Sequence, residues 1–461
     1  MQRLSGADAT FLYLQSPTSH MEVACAMVID ATDIEGGVTY ERARQAVAAR
    51  LHLVPPFRRR LVTVPFELDN PRWIEDPDFD LDHHLRRGAL PAPGGMAELA
   101  EYAAQVVSRP LDRSRPLWEL HIVEGLEGGR LGIVSKTHHA AIDGVSGAEI
   151  IAALVDLAPD TPDPEPGPWQ PDRVPGELEL LADSVSTLVR QPFRGIRATQ
   201  RLVRALTQDR LAARRSEITS AADAPASVLN VAVTPHRRVT FLELALSDVK
   251  AVKVAAGTTV NDVVLAVCGG ALRAYLSRRN ALPEQPLVAF VPLSTRPEED
   301  KDALGNQVSV VFSTLATDVS DPLERLRLVH DAMGKAKDQH RAVGAATLTD
   351  WTEIAGPSVA AIAGRMVSRL GVNQRLRASG NVVISNIPGP PISLYVAGGR
   401  LEALYPIGPV ADGTALNITL MSYGDRLYVG LTGDREAVPD LDGLATDLSD
   451  ALAELVELTT G

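Results

Sequence analysis

The chain has only two cysteines in 461 residues, Cys25 and Cys268. They stand far apart and in no metal-ligand or redox spacing, which argues against a disulfide framework and a thiolate zinc site. Both lie in apolar stretches and read as small core residues of a protein from a reducing, intracellular setting. Aromatic residues are scarce, at 4%. Any core must rest on Ala, Val, Leu and Ile, and a hydrophobic content of 45% supplies them. Excess positive charge is missing too. The formal net charge is −13, which argues against a general nucleic-acid binder. No uninterrupted apolar run is long enough to be expected to span a bilayer. Met1–Asp8 lacks a charged stretch followed by an apolar one, so no secretion signal is expected. Work on lipid would then proceed from a membrane surface.

Strand-like and helix-like runs alternate along the chain, which predicts a mixed α/β architecture. The length suits two or three domains. In the first half, strands are expected over Glu22–Ile29, Trp118–Glu124 and Leu131–Lys136. Helices are expected over Glu41–Leu51, Met96–Val107 and Val145–Leu157. Ala158–Pro175 is rich in Pro and Asp and reads as a linker or surface crossover. An arginine-rich helical region runs from about Leu178 to Arg215. The second half offers strands at Arg238–Leu246, Leu287–Pro292, Val308–Leu315, Asn381–Ser385, Gly399–Leu404, Leu416–Tyr423 and Arg426–Thr432. Its helices are Asn261–Leu276, Pro322–Gln339 and Asp440–Leu458. The expected division is residues 1–157, a crossover 158–237, and residues 238–461.

The segment Ser135–Gly144 carries the clearest chemical signal. A strand there gives way to His138-His139-Ala140-Ala141-Ile142-Asp143-Gly144. Strand ends are where α/β folds place reactive groups. Acyl transfer to an alcohol requires the hydroxyl to lose its proton as it attacks. A histidine with a reference pKa of ~6.5 accepts that proton near neutral pH. Asp143 is placed to fix the loop or to orient an imidazole, and Gly144 permits backbone that other residues resist. A structural pair or a metal site is the competing reading. Zinc needs three or four ligands, and Asp143 is the only nearby addition. A second doublet, His83-His84, follows an acidic run, lacks the Asp-Gly partner and reads as surface structure. His20, His52, His121 and His340 have no constellation around them.

These residues resemble a known family. His138–Gly144 matches the His-His-x-x-x-Asp-Gly signature of the chloramphenicol acetyltransferase and condensation-domain superfamily. Leu4-Ser5-Gly6-Ala7-Asp8-Ala9-Thr10-Phe11-Leu12-Tyr13 and Pro116-Leu117-Trp118-Glu119 look like blocks of the bacterial wax ester synthase/diacylglycerol acyltransferase family. So do Asn261-Asp262, Pro292–Arg296, Gly305-Asn306, Ser385–Pro390 and Gly413–Ile418. The resemblance implies two chloramphenicol-acetyltransferase-like halves, each a mixed sheet flanked by helices, with a channel between them. It implies acyl-CoA as donor and diacylglycerol or a long-chain alcohol as acceptor, with no cofactor and no metal. His139 maps to the base and Asp143 to a structural aspartate. His138 takes a positional role.

Other candidates carry two readings each. Asn261 reads as a helix cap or as a donor to the oxyanion of a tetrahedral intermediate. Asp262 reads chiefly as a partner of the helix dipole. Ser385 and Asn386 open a turn by composition and border the substrate channel by resemblance. Trp118 reads as core or channel wall. Arg296 is a potential partner for Asp143. Arg190, Arg194, Arg197, Arg201 and Arg204 share one helical face beside an apolar stripe. That face reads as a solvated edge, as a dock for an anionic membrane or lipid-droplet surface, or as an attractor for CoA phosphates. The leading expectation is acyl-CoA-dependent acylation of diacylglycerol to triacylglycerol. Wax ester synthesis, a carrier-protein-dependent condensation-type acyltransferase and a non-catalytic lipid-binding paralogue are the alternatives. The expected location is cytoplasmic, with peripheral contact to the inner membrane or lipid inclusions.

Overall fold

The computed structural model describes residues 1–142, 147–165, 167–190, 219–220, 223–294, 308–343 and 380–460. Two six-stranded sheets dominate. The first runs, in spatial order, Tyr395–Val396, Gly399–Ile407, Glu22–Asp30, Leu131–His138, Trp118–Glu124 and Leu85–Ala89. The second runs Val308–Thr314, Val288–Ser294, Val382–Ile387, Leu416–Tyr423, Arg426–Asp434 and Arg237–Ala245. Each is mixed: Leu85–Ala89 lies parallel to Trp118–Glu124, and Val382–Ile387 lies parallel to both of its neighbours. A three-stranded sheet of Gln2–Arg3, Arg72–Glu75 and Arg59–Val62 stands beside them.

Local chemistry accounts for the elements. Glu22–Asp30 reads EVACAMVID, and its interior is buried almost without interruption, as a strand covered on both faces should be. Helix Val260–Ser277 begins at a reciprocal cap between Thr259 and Asp262. Helix Leu246–Ala256 ends at Gly257, whose φ of +66° suits a left-handed cap. Helices Leu246–Ala256, Val260–Ser277 and Leu441–Thr460 pack together beside the second sheet, and Pro322–Val343 packs on Val260–Ser277. Val260–Ser277 is long and apolar enough to cross a bilayer, yet 67% of it is buried inside this core. Cys268 is buried in the same core and Cys25 in the first.

The second sheet faces two cores. In Leu416–Tyr423, Leu416, Ile418 and Leu420 join the helices, while Met421 and Tyr423 join the core of the first sheet. Tyr405, on the strand that crosses into the first sheet, stacks on Phe241 at 4.5 Å between ring centroids. That crossing strand, Gly399–Ile407, pairs antiparallel with Glu22–Asp30, with Arg400 opposite Asp30 and Ile407 opposite Ala24.

Two local expectations are corrected. The strand at Val382 continues through Ser385 and Asn386 to Ile387, because parallel pairing holds Ser385 opposite Thr419 and Asn386 opposite Leu420. Pro388, with no N–H to offer, follows directly. Composition read a turn where the ladder persists. His84 is not surface structure: it is 2% exposed. Its ring stacks on Trp118 at 4.6 Å, and its Nδ1 lies 2.9 Å from the Trp118 carbonyl oxygen. Ion pairs fasten the chain within and on either side of the Pro- and Asp-rich crossover, at Asp163, Asp156 and Asp183. Buried Arg50 holds Asp156 at 2.8 Å and Asp163 at 2.5 Å, and Arg72 holds Asp183 at 2.8 Å. Removing one partner of a buried pair such as Arg50–Asp156 typically costs about 3–5 kcal/mol.

Candidate active site

The strand Leu131–His138 delivers the double histidine, and a short 3₁₀ turn, His139–Ile142, follows it. The turn is held by apolar packing. Ala140 and Ala141 sit in a small cluster with Leu4, Ala9, Leu12 and Leu117. Most of these come from the N-terminal block, which forms helix Gly6–Leu14 behind a Ser5 cap that accepts from the Asp8 N–H. That helix presents Phe11 flat against His139, with ring centroids 4.0 Å apart and planes 11° apart.

Backbone hydrogen bonds fix both histidines. The His138 N–H donates to the Leu117 carbonyl at 3.0 Å, and the His139 N–H donates to the Met21 carbonyl at 3.1 Å. The Pro116–Glu119 block thus touches the doublet directly. The Ala140 N–H donates to His138 Nδ1 at 3.1 Å. An acceptor at Nδ1 requires the neutral ring to carry its proton on Nε2. That Nε2 is buried without a hydrogen-bond partner, and so is His139 Nδ1, among the described residues. Burial, aided by Arg113 and then His139, pushes the His138 pKa down to about 3. Burial also lowers the His139 pKa. Both rings are therefore neutral near pH 7, and His139 keeps part of its surface exposed. A neutral, part-exposed imidazole at a strand end is the form that accepts a proton.

Asp143, Gly144, Arg296, Gly305 and Asn306 lie outside the described residues, as do Arg194, Arg197, Arg201 and Arg204. Arg190 ends helix Glu177–Arg190. Among the described residues no group of three or more His, Cys, Asp or Glu is placed to hold a metal.

Asn261 sits in the first turn of helix Val260–Ser277, and its side-chain nitrogen is buried with no partner among the described residues. A buried amide donor without an acceptor is the chemistry that an oxyanion site needs. Asp262 is engaged structurally. Its carboxylate accepts from the Thr259 N–H at 2.9 Å and lies 2.7 Å from His330 Nδ1. Ser385 shares its strand face with Ile387, which packs against the first core, so Ser385 faces the first sheet. Asn386 shares the opposite face with Ile384, a member of the second core. Trp118 is core: it is 2% exposed, and its indole N–H donates to the Phe57 carbonyl at 2.8 Å.

A model of the wax ester synthase/diacylglycerol acyltransferase catalytic domain matches residues 4–264, and one of the family's C-terminal domain matches 304–456. The chain belongs to the wax ester synthase/diacylglycerol acyltransferase family. Over 462 aligned positions it is 37% identical to a Mycobacterium tuberculosis protein named for diacylglycerol O-acyltransferase activity, covering 99% of this chain and 90% of that one. The wax ester synthase/diacylglycerol acyltransferase from Marinobacter aquaeolei VT8 superposes with a TM-score of 0.73 at 31% identity, with 100% of each chain covered. The first condensation domain of the CDA synthetase shares the fold, with a TM-score of 0.58 at 18% identity, covering 100% of this chain and 97% of that one. As a member of this family the chain is an acyltransferase with the chloramphenicol-acetyltransferase-like fold.

Sequence reasoning passed over several residues at this site. Phe11 was quoted only as part of a block, and nothing in its spacing announces a stack on His139. His20 was read as having no constellation around it, and Met21, Glu22 and Lys136 were given no role at the site. Glu22 and Lys136 carried a signal as charged residues inside otherwise apolar strands, which are rarely left buried without a partner or a purpose.

Proposed function

We propose that the protein transfers a long-chain acyl group from acyl-CoA to the free hydroxyl of diacylglycerol, giving triacylglycerol, with His139 as general base. The observation that carries this reading is the neutral, part-exposed His139 ring, stacked on Phe11 at the end of its strand. His139 takes the hydroxyl proton as the oxygen attacks the thioester carbon. The proton then passes to the leaving CoA thiolate as the tetrahedral intermediate collapses. His138 acts by position, through its contacts with Leu117 and Ala140. Asp143 takes the structural role that the family signature implies. Asn261 offers the buried donor for the oxyanion. No cofactor or metal enters this scheme, since acyl-CoA is a co-substrate. Reaction at a membrane or lipid-inclusion surface is part of the reading, because the acceptor lives there.

A wax ester reading, with a long-chain alcohol as acceptor, is favoured by the family match itself, which spans both chemistries. One experiment separates the readings. Labelled long-chain acyl-CoA is supplied with diacylglycerol, with a fatty alcohol, or with neither. Triacylglycerol as the main product supports the first reading, and wax ester as the main product supports the second. Turnover of neither acceptor removes both and leaves a lipid-binding paralogue.

A further inference from the structure

Beside Met21 lies a small cavity of about 20 Å³, room for roughly one water. Its walls come from both halves: His20, Met21, Glu22 and Val107 on one side, and Arg237, Gly408, Pro409 and Thr432 among those on the other. Among the described residues, four buried polar side-chain atoms at this cavity make no hydrogen bond: both ring nitrogens of His20, Oγ1 of Thr432, and Oε2 of Glu22, which faces Lys136 Nζ at 3.6 Å. His20 is 6%, Glu22 5% and Thr432 1% exposed. Buried groups of this kind are normally satisfied, by protein or by ordered water. The other polar wall is occupied elsewhere. Arg237 donates to the Thr18, Thr234 and His236 carbonyls and lies 3.8 Å from Asp434.

The cavity meets the site through one residue. Met21, between His20 and Glu22, has a φ of +51°, a conformation that a residue with a side chain rarely adopts. Its carbonyl accepts the His139 N–H at 3.1 Å. Strained backbone persists only where its surroundings over-determine it. Here both neighbours of Met21 line the same cavity. Glu22 is fixed further: its Oε1 accepts the Leu111 N–H at 2.7 Å, its Oε2 lies 3.6 Å from Lys136 Nζ, and in the sheet it stands opposite His138.

We propose that an ordered water occupies this cavity, bridging His20, Glu22 and Thr432, and that the filled cavity makes these three positioning residues for His139 by holding Met21 in its left-handed conformation. The bridging water meets the Thr432 hydroxyl, the Glu22 carboxylate and one ring nitrogen of His20, at little entropic cost. Thr432 belongs to the second sheet, so this water ties the acyl-transfer centre of the first half to the second.

This inference rests on the acyltransferase reading only in its kinetic arm. The wild-type protein is crystallised and refined at a resolution that shows ordered water. Density within hydrogen-bond reach of Glu22, His20 and Thr432 is expected, and an empty cavity overturns the proposal. Thr432→Val keeps side-chain volume and loses the hydroxyl. Its kcat should fall roughly fivefold, the worth of about one hydrogen bond, with KM unchanged, and Thr432→Ser should restore the rate. A valine variant as fast as wild type, or a serine variant as slow as valine, overturns positioning. Nitrogen-15 spectra of the histidine rings give a readout free of substrate: the His139 signals should move in Thr432→Val and return in Thr432→Ser. If no acceptor is turned over, the acyltransferase reading fails while the density and the spectra still decide the cavity. The crystal density needs no variant, so a valine variant that does not fold leaves the test standing.

Discussion

The chain contains two histidine doublets, and the fold uses them in different ways. At His83-His84, the inner ring is buried between Phe79 and Trp118, and its Nδ1 meets a backbone carbonyl. At His138-His139, each ring has a nitrogen that is buried and unpartnered among the described residues, and His139 retains exposed surface. On the proposed function, burial alone does not mark the reactive histidine. What differs is whether the ring's polar capacity has been used. A histidine with its Nδ1 satisfied inside an aromatic stack contributes to stability. His139, held by its backbone with its Nδ1 unspent among the described residues, is the ring to which the proposed function gives the proton transfer.

Substitutions can break or sharpen that contrast. The largest effect is expected from His139→Ala, which should lower kcat by about a hundred- to ten-thousand-fold, the usual worth of a general base, without lowering the urea midpoint greatly. Full activity in this variant would erase the distinction between the doublets. His84→Ala should do the reverse. Loss of a buried stacked ring should cost about 3 kcal/mol in urea unfolding, with kcat per folded molecule unchanged. A smaller effect is expected from Phe11→Leu. It removes an aromatic contact worth about 0.5–1.5 kcal/mol, which corresponds to roughly a two- to tenfold loss in kcat with little change in KM.

The pH dependence of stability should be the subtlest signal. The folded His138 pKa of about 3 lies below its ordinary value of 6.5. Between those values the unfolded chain binds a proton that the folded chain refuses, so this contribution is present above pH 6.5 and is lost as pH falls toward 3. Glu22 acts oppositely. Burial raises its carboxyl from 4.5 to about 7. Its contribution is full below pH 4.5 and is lost as pH rises through 7. Glu22→Gln should therefore raise the melting temperature relative to wild type at pH 8 more than at pH 5. Equal shifts at both values would show that Glu22 does not titrate in this window.

Much of the fold was legible because period and punctuation are local signals. Met96–Val107, Trp118–Glu124 and Leu416–Tyr423 fall at the expected boundaries. The short strands Arg59–Val62 and Arg72–Glu75 and the helix Gly6–Leu14 were not read, since their apolar faces are brief and their partners distant. Sheet membership was invisible for a deeper reason: nothing within Gly399–Ile407 says that it pairs with residues near position 25. At the candidate site, the place of the doublet at the end of a strand was legible from the local pattern. The stack of Phe11 and the carbonyl of Met21 were not, because each is brought to His139 only by tertiary packing.

That crossing strand also governs how the molecule is made. Glu22–Asp30 leaves the ribosome early, but one of its two sheet partners emerges only with Gly399–Ile407. Until then the growing polypeptide carries an open strand edge, the feature that most readily recruits other chains. Closing so long a loop is slow, because its entropy is lost before the pairing repays it. The first half is thus an incomplete product throughout most of its own synthesis, and its final shape waits on the second.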